Sequence, residues 1–144
     1  MSDNIEIATR ARELFVRGDI QAFVELCDEN CVWINPGPNE METAGRWVGK
    51  KGVLDYCSIV ARKITVTKLE VDEIFEHRDM VVVIAKMATK YKNTGRSSES
   101  DLVQIIKIAG GKINFIQNYF DTASSLLAAS DTFMAQSGKV LAHS

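Results

Sequence analysis

The most constraining feature of this 144-residue chain is a run of four strand-like segments filling its second half. Ile64–His77, Met80–Tyr91, Ser98–Ile108 and Lys112–Phe120 are joined by connections too short for a parallel crossover. The polar turn Lys92–Arg96 and the pair Gly110-Gly111 are typical hairpin connections. Neighbouring strands must therefore run antiparallel. Within Ile64–His77 the apolar alternation changes phase. Ile64 and Val66 have the opposite parity from Leu69, Val71 and Phe75. One extra residue near Thr67-Lys68 explains the change as a bulge, which bends a sheet.

The first half is mainly helical. Ile5, Ala8, Ala11, Arg12, Phe15 and Val16 recur at helical spacing, with Gly18 as the stop. Asp19 is placed to cap a second helix, Ile20 to Cys27. Cys31–Asn35 reads as a short strand ended by Pro36-Gly37-Pro38, and Asn39–Lys51 as a loop. A third helix covers Lys50 to Arg62. After the last strand, Asp121 or Thr122 caps a terminal helix, Ala123 to Gln136. The expected fold is α+β, a single domain over residues 1–136 with a frayed tail over 137–144.

A net charge of −2 removes the basic surplus expected of a nucleic-acid binder or a polybasic membrane surface. Met1 to Arg10 lack the apolar run of a secretory leader, and no apolar run could span a bilayer. Three cysteines, Cys27, Cys31 and Cys57, and two histidines, His77 and His143, offer little for a zinc site. The expectation is a cytoplasmic protein without disulfides, metal or cofactor, and with neither nucleic acid nor membrane as a partner.

Strand parity gives two largely apolar sheet faces. Val82, Ile84, Val103, Ile105 and Phe115 fall on the face opposite Val83, Leu102, Ile106 and Ile116. Ile113 is assigned by parity to the same face as Phe115. An uncovered apolar face of this size predicts a homodimer through the outer sheet.

The order and spacing of several short pieces resemble the nuclear-transport-factor-2-like superfamily, and within it the SnoaL-like group. They are Gly18-Asp19, Val32-Trp33-Ile34-Asn35-Pro36-Gly37, Ala44-Gly45, Gly49-Lys50, Thr94-Gly95-Arg96, Gly111-Lys112-Ile113 and Tyr119-Phe120-Asp121. The resemblance spans about residues 5 to 130. It implies a cone-shaped, strongly curved antiparallel sheet wrapped around helices (a cystatin-like roll), with a pocket between them, and dimers. Folds of this group host ketosteroid isomerases, polyketide cyclases, limonene-epoxide hydrolases and plain binding modules, so the choice rests on residues.

Carried onto this chain, the isomerase base falls on Asn35, its acid on Gln104 and its tyrosine near Ala11. An amide at position 35 cannot serve as the base. The epoxide-hydrolase triad falls on Ala85, Met87 and Asn118, none of which ionises, and that activity is excluded. The cyclases' aspartate has one candidate, Asp121, whose parity is opposite to Phe120 and Asn118 and whose position before Thr122 better suits a helix cap. Glu40 and Glu42, on the loop after Pro38, are the remaining carboxylates that a pocket could recruit. The expected pocket is apolar, with Phe15, Trp33, Val83, Met87, Leu102, Ile106, Ile116 and Phe120. Asn35, Gln104, Asn118 and the Tyr56 hydroxyl are its polar points. Such a pocket suits a small hydrophobic molecule bearing one or two oxygens. Isomerase- or cyclase-like proton transfer is one use of it; ligand binding or dimerisation without chemistry is the other.

Overall fold

The computed structural model describes residues 3–130. The chain begins with helix α1 (Asp3–Arg17), which buries Ala8, Ala11 and Leu14. It ends where Gly18 takes a φ of 80°, a conformation that costs glycine little. Gly18 N–H then donates to Phe15 O, and Asp19 N–H to Leu14 O, the paired bonds of a Schellman cap. Asp19 caps helix α2 (Ile20–Glu25), accepting from Ala22 N–H. Strand β1 (Cys27–Asn35) and strand β2 (Gly45–Val48) lead into helix α3 (Gly49–Lys63). Strands β3 (Ile64–His77), β4 (Met80–Tyr91), β5 (Ser97–Ala109) and β6 (Lys112–Tyr119) follow, then helix α4 (Thr122–Ala129).

The six strands form one curved sheet in the order β2-β1-β6-β5-β4-β3. The expected α+β roll is borne out, with β3 to β6 as an antiparallel meander. Gly110 and Gly111, at φ 58° and 78°, form the β5–β6 hairpin turn with the backbone of a type I′ connection. The bulge expected near Thr67 is present, between Val66 and Lys68.

Several expectations are corrected. The β1–β6 pair is parallel, because β1 enters the sheet before α3 and the meander returns to it from the far side. A second bulge lies between Val71 and Glu73. Helix α2 stops at Glu25, and β1 begins at Cys27 rather than Cys31. Cys27 pairs with Ile113, and residues 28–31 form an irregular excursion before pairing resumes at Val32. Strand β2 occupies part of the expected loop, pairing Trp47 with Trp33 and Gly45 with Asn35. Ile113 is wholly buried with the inward set, because the β5–β6 register shifts between Lys107 and Ile108 and leaves Asn114 as the extra residue. The last helix ends at Ala129, with Ser130 extended. Residues 131–136 of its expected span, and the tail 137–144, lie outside the described residues.

The core lies on the concave side of the sheet. Val81, Val83 and Ala85 of β4, Leu102 and Ile106 of β5, and Ile116 of β6 meet α1, α2 and α3 there. The three cysteines are buried and unbonded to one another covalently. No described helix is long and apolar enough to cross a membrane.

Candidate functional site

The concave sheet and the helices do not fill the space between them. A cavity of about 100 Å³ remains. That is somewhat below the roughly 150 Å³ of an apolar cavity known to admit benzene. Its walls come from α1 (Ala8, Ala11, Phe15), α3 (Tyr56, Val60) and the inner faces of β3 to β6, with Phe120 and Ser125 near the α4 end. Phe15, Trp33, Tyr56, Met87, Leu102, Gln104, Ile116, Asn118 and Phe120 all line it, as do Val83 and Ile106.

One end of the lining is an aromatic cluster. The Trp33 and Tyr56 rings are 4.7 Å apart between centroids, and Phe15 lies 5.5 Å from Trp33. Trp47 lies behind Tyr56, its ring tilted at 43° and 5.8 Å away between centroids, and does not reach the cavity.

A chain of amides crosses the sheet beside this cluster. Gln104 Nε2 donates to Asn118 Oδ1 at 2.8 Å, and Asn118 Nδ2 donates to Asn35 Oδ1 at 3.0 Å. The indole of Trp33 donates to the same Asn35 oxygen at 2.9 Å. Asn35 Nδ2 donates to Thr43 O, which also accepts from the Trp47 indole. Asn35 therefore stands behind the lining, with its oxygen fully engaged by protein donors, while Gln104 and Asn118 reach the cavity itself. Burial raises the Tyr56 phenol above its ordinary range, with a further push from Cys57; the nearby Asn35 amide works against both. Tyr91 is raised for the same first reason, opposed by Ser125. Both phenols stay neutral and can donate or accept a hydrogen bond.

Among the described residues, the lining holds no carboxylate, imidazole, thiol or amine. Asp121 lies outside the lining: its carboxylate accepts from Ser124 N–H as the α4 cap, and its own N–H donates to Ser100 Oγ. Glu40 and Glu42 border a separate surface cleft, and Glu42 pairs with Lys63. His77 is exposed at the end of β3. Among the described residues no three His, Cys, Asp or Glu side chains gather as a metal site.

The lining also contains Arg12, Thr43, Thr89, Tyr91 and Ser125, which the strand and motif reasoning did not single out. For Arg12 the signal is in the sequence: a guanidinium occupies the apolar phase of α1. Thr89 shares the inward parity of Val83 and Met87. Tyr91, the last residue of β4, and Ser125, on α4, come together only when α4 folds back over the sheet.

The SnoaL-like domain profile matches residues 8–116, most of the chain. The chain belongs to the SnoaL-like domain family. No curated protein matches the sequence closely enough to count as a relative. This SnoaL-like domain is similar in structure to an NTF2-like protein from Burkholderia xenovorans LB400. The identity is 24% over 90% of this chain and 99% of that one, with a TM-score of 0.80. A Bacillus subtilis protein provisionally named an isomerase is 21% identical over 89% and 95%, with a TM-score of 0.75. TerC, co-crystallised with polyporic acid, is 22% identical over 88% and 98%, also at 0.75. At these identities the likeness establishes the fold.

Proposed function

We propose that this SnoaL-like protein binds a small, mostly apolar molecule carrying one or two oxygens in the cavity between sheet and helices. The observation that carries this reading is the lining itself. Apolar and aromatic walls converge on the aligned amides of Gln104 and Asn118 and the neutral phenol of Tyr56. Apolar walls with a few fixed polar groups are how proteins hold such molecules. A fold neighbour co-crystallised with polyporic acid supports an organic ligand. Isomerase- or cyclase-like proton transfer has weaker support, because no described lining residue is a base near neutral pH. In this reading Asp121 caps a helix and the cavity binds without abstracting a proton.

The same proposal includes a homodimer through the outer sheet face. There Phe75, Val82 and Ile105 lie in register across β3, β4 and β5, and Ile84, Val103 and Tyr119 across β4, β5 and β6. Phe75 is 46% exposed and Tyr119 47%. At one edge Lys107 covers the Phe115 ring, 5.1 Å from its centroid. A cytoplasmic setting suits the three buried free thiols.

Native mass spectrometry of freshly purified protein tests both parts. The expected result is a dimer retaining a small apolar molecule that is released on denaturation. An empty protein that also fails to bind any member of a panel of small aromatic ketones, lactones and acids would contradict the binding reading.

A further inference from the structure

Arg12 is the one formally charged side chain among the described residues that line the cavity. It sits on α1 among Ala8, Ala11 and Phe15, which line the cavity beside it. Its Nη1 is shielded from solvent and has no hydrogen-bond partner among the described residues. A buried, unpaired guanidinium nitrogen is costly. Burial also draws the Arg12 pKa down, opposed by the neighbouring Glu13. Glu13 borders the outer groove and not the cavity.

The position of Arg12 gives the unpaired nitrogen a use. The cavity and a shallow groove between α1 and β3 share Arg12, Val16, Val66 and Leu69. Arg12 therefore stands at the junction of the enclosed space and the surface. A molecule lying in the cavity with one end toward that groove would bring its end group to the guanidinium. Arginine's planar fork matches a carboxylate with two parallel, charge-assisted hydrogen bonds.

We infer that Arg12 receives the carboxylate of a small aromatic or alicyclic acid whose apolar body fills the cavity. This rests on the cavity being a ligand site and adds the chemical class and the group that selects it.

Matched acids and amides test it by calorimetric titration: phenylacetate against phenylacetamide, and cyclohexylacetate against cyclohexylacetamide. The wild-type protein is expected to prefer each acid by roughly ten- to hundredfold, the worth of hydrogen bonds to a charged group. Arg12→Met should erase that preference, weakening each acid by more than its amide, with circular dichroism confirming the fold. Arg12→Lys, which keeps the charge and loses the fork, should retain part of it. Should the Met variant not fold, the acid preference of the wild type and its reduction in the Lys variant decide the matter. Equal binding of acid and amide by the wild type, or an acid preference that survives in Arg12→Met, overturns the role of Arg12 and leaves the cavity reading intact. If neither acids nor amides bind the wild type, the Arg12 assignment falls, and the cavity reading falls with it only when the ketones and lactones fail as well.

Discussion

Asn35 shows how one side chain holds the polar side of the cavity in place. It is 4% exposed, and its oxygen takes two donors from different strands, Trp33 on β1 and Asn118 on β6. Asn35→Ala removes that acceptor and leaves two buried N–H groups unpaired. The expected loss is about 2–4 kcal/mol in urea unfolding, with Gln104 and Asn118 released from their alignment. Buried thiols and phenols make a second residue-scale prediction. Burial, then the nearby Cys31, pushes the Cys57 thiol up to about 12, and burial raises Tyr56. Unfolded thiols and phenols titrate near 8.5 and 10. Above those values the unfolded chain loses protons that the native protein keeps. Stability should hold below about pH 8.5, then fall by about 1.4 kcal/mol per pH unit for each such group up to about pH 12. Urea unfolding at pH 7.5, 9.5 and 11 checks the window; a flat profile through pH 11 contradicts it.

At the scale of elements, α4 closes one end of the sheet through side chains. Thr94 Oγ1 donates to Ala128 O at 2.6 Å, Asn93 to Ala129 O, and the Ser98 and Ser124 hydroxyls share a bond. Asp121 starts that helix as its cap. Asp121→Asn, an equally good cap, is expected to leave stability within a few tenths of a kcal/mol and ligand binding unchanged. Asp121→Ala should cost about 1 kcal/mol. A large loss of function in Asp121→Asn with stability intact would assign it chemistry instead. The elements also show what was readable from the sequence. The meander was legible because Met80–Tyr91 and Ser98–Ile108 are apolar-rich runs set off by the polar turn Lys92–Arg96 and by the Gly110-Gly111 turn. The Thr67 bulge was legible because it changes an apolar phase, whereas the one at Asp72 falls among exposed acidic residues and leaves little trace. Strand β2 was hidden because its four residues are mostly exposed and carry no alternation. The parallel placement of β1 depends on contacts more than 80 residues apart, such as Trp33 with Ile116. Most of the lining followed from strand parity, while Tyr91 and Ser125 depend on the folding back of α4. Arg12 was visible at helical spacing, but spacing alone does not separate a charge at the rim of a core from one inside a cavity.

For the whole molecule, the two sides of the sheet have different expected uses: the concave side encloses the ligand and the convex side meets a second copy. Ile105 is central to the outer apolar rows, paired with Val82 and Gln117. Ile105→Lys places a charge in that proposed interface and should convert a dimer to a monomer by light scattering, with cavity binding preserved. A wild-type protein that is monomeric at high micromolar concentration would contradict the interface. The most direct test of the central claim is a methyl NMR titration with isoleucine and methionine labels, using the aromatic acid or ketone that binds best. Ligand binding in the cavity predicts shifts at Met87, Ile106, Ile113 and Ile116, which line it, with Ile84 and Ile105 on the outer face unmoved. Shifts confined to Ile84 and Ile105, with the four cavity methyls still, would place the ligand outside the cavity and contradict the account.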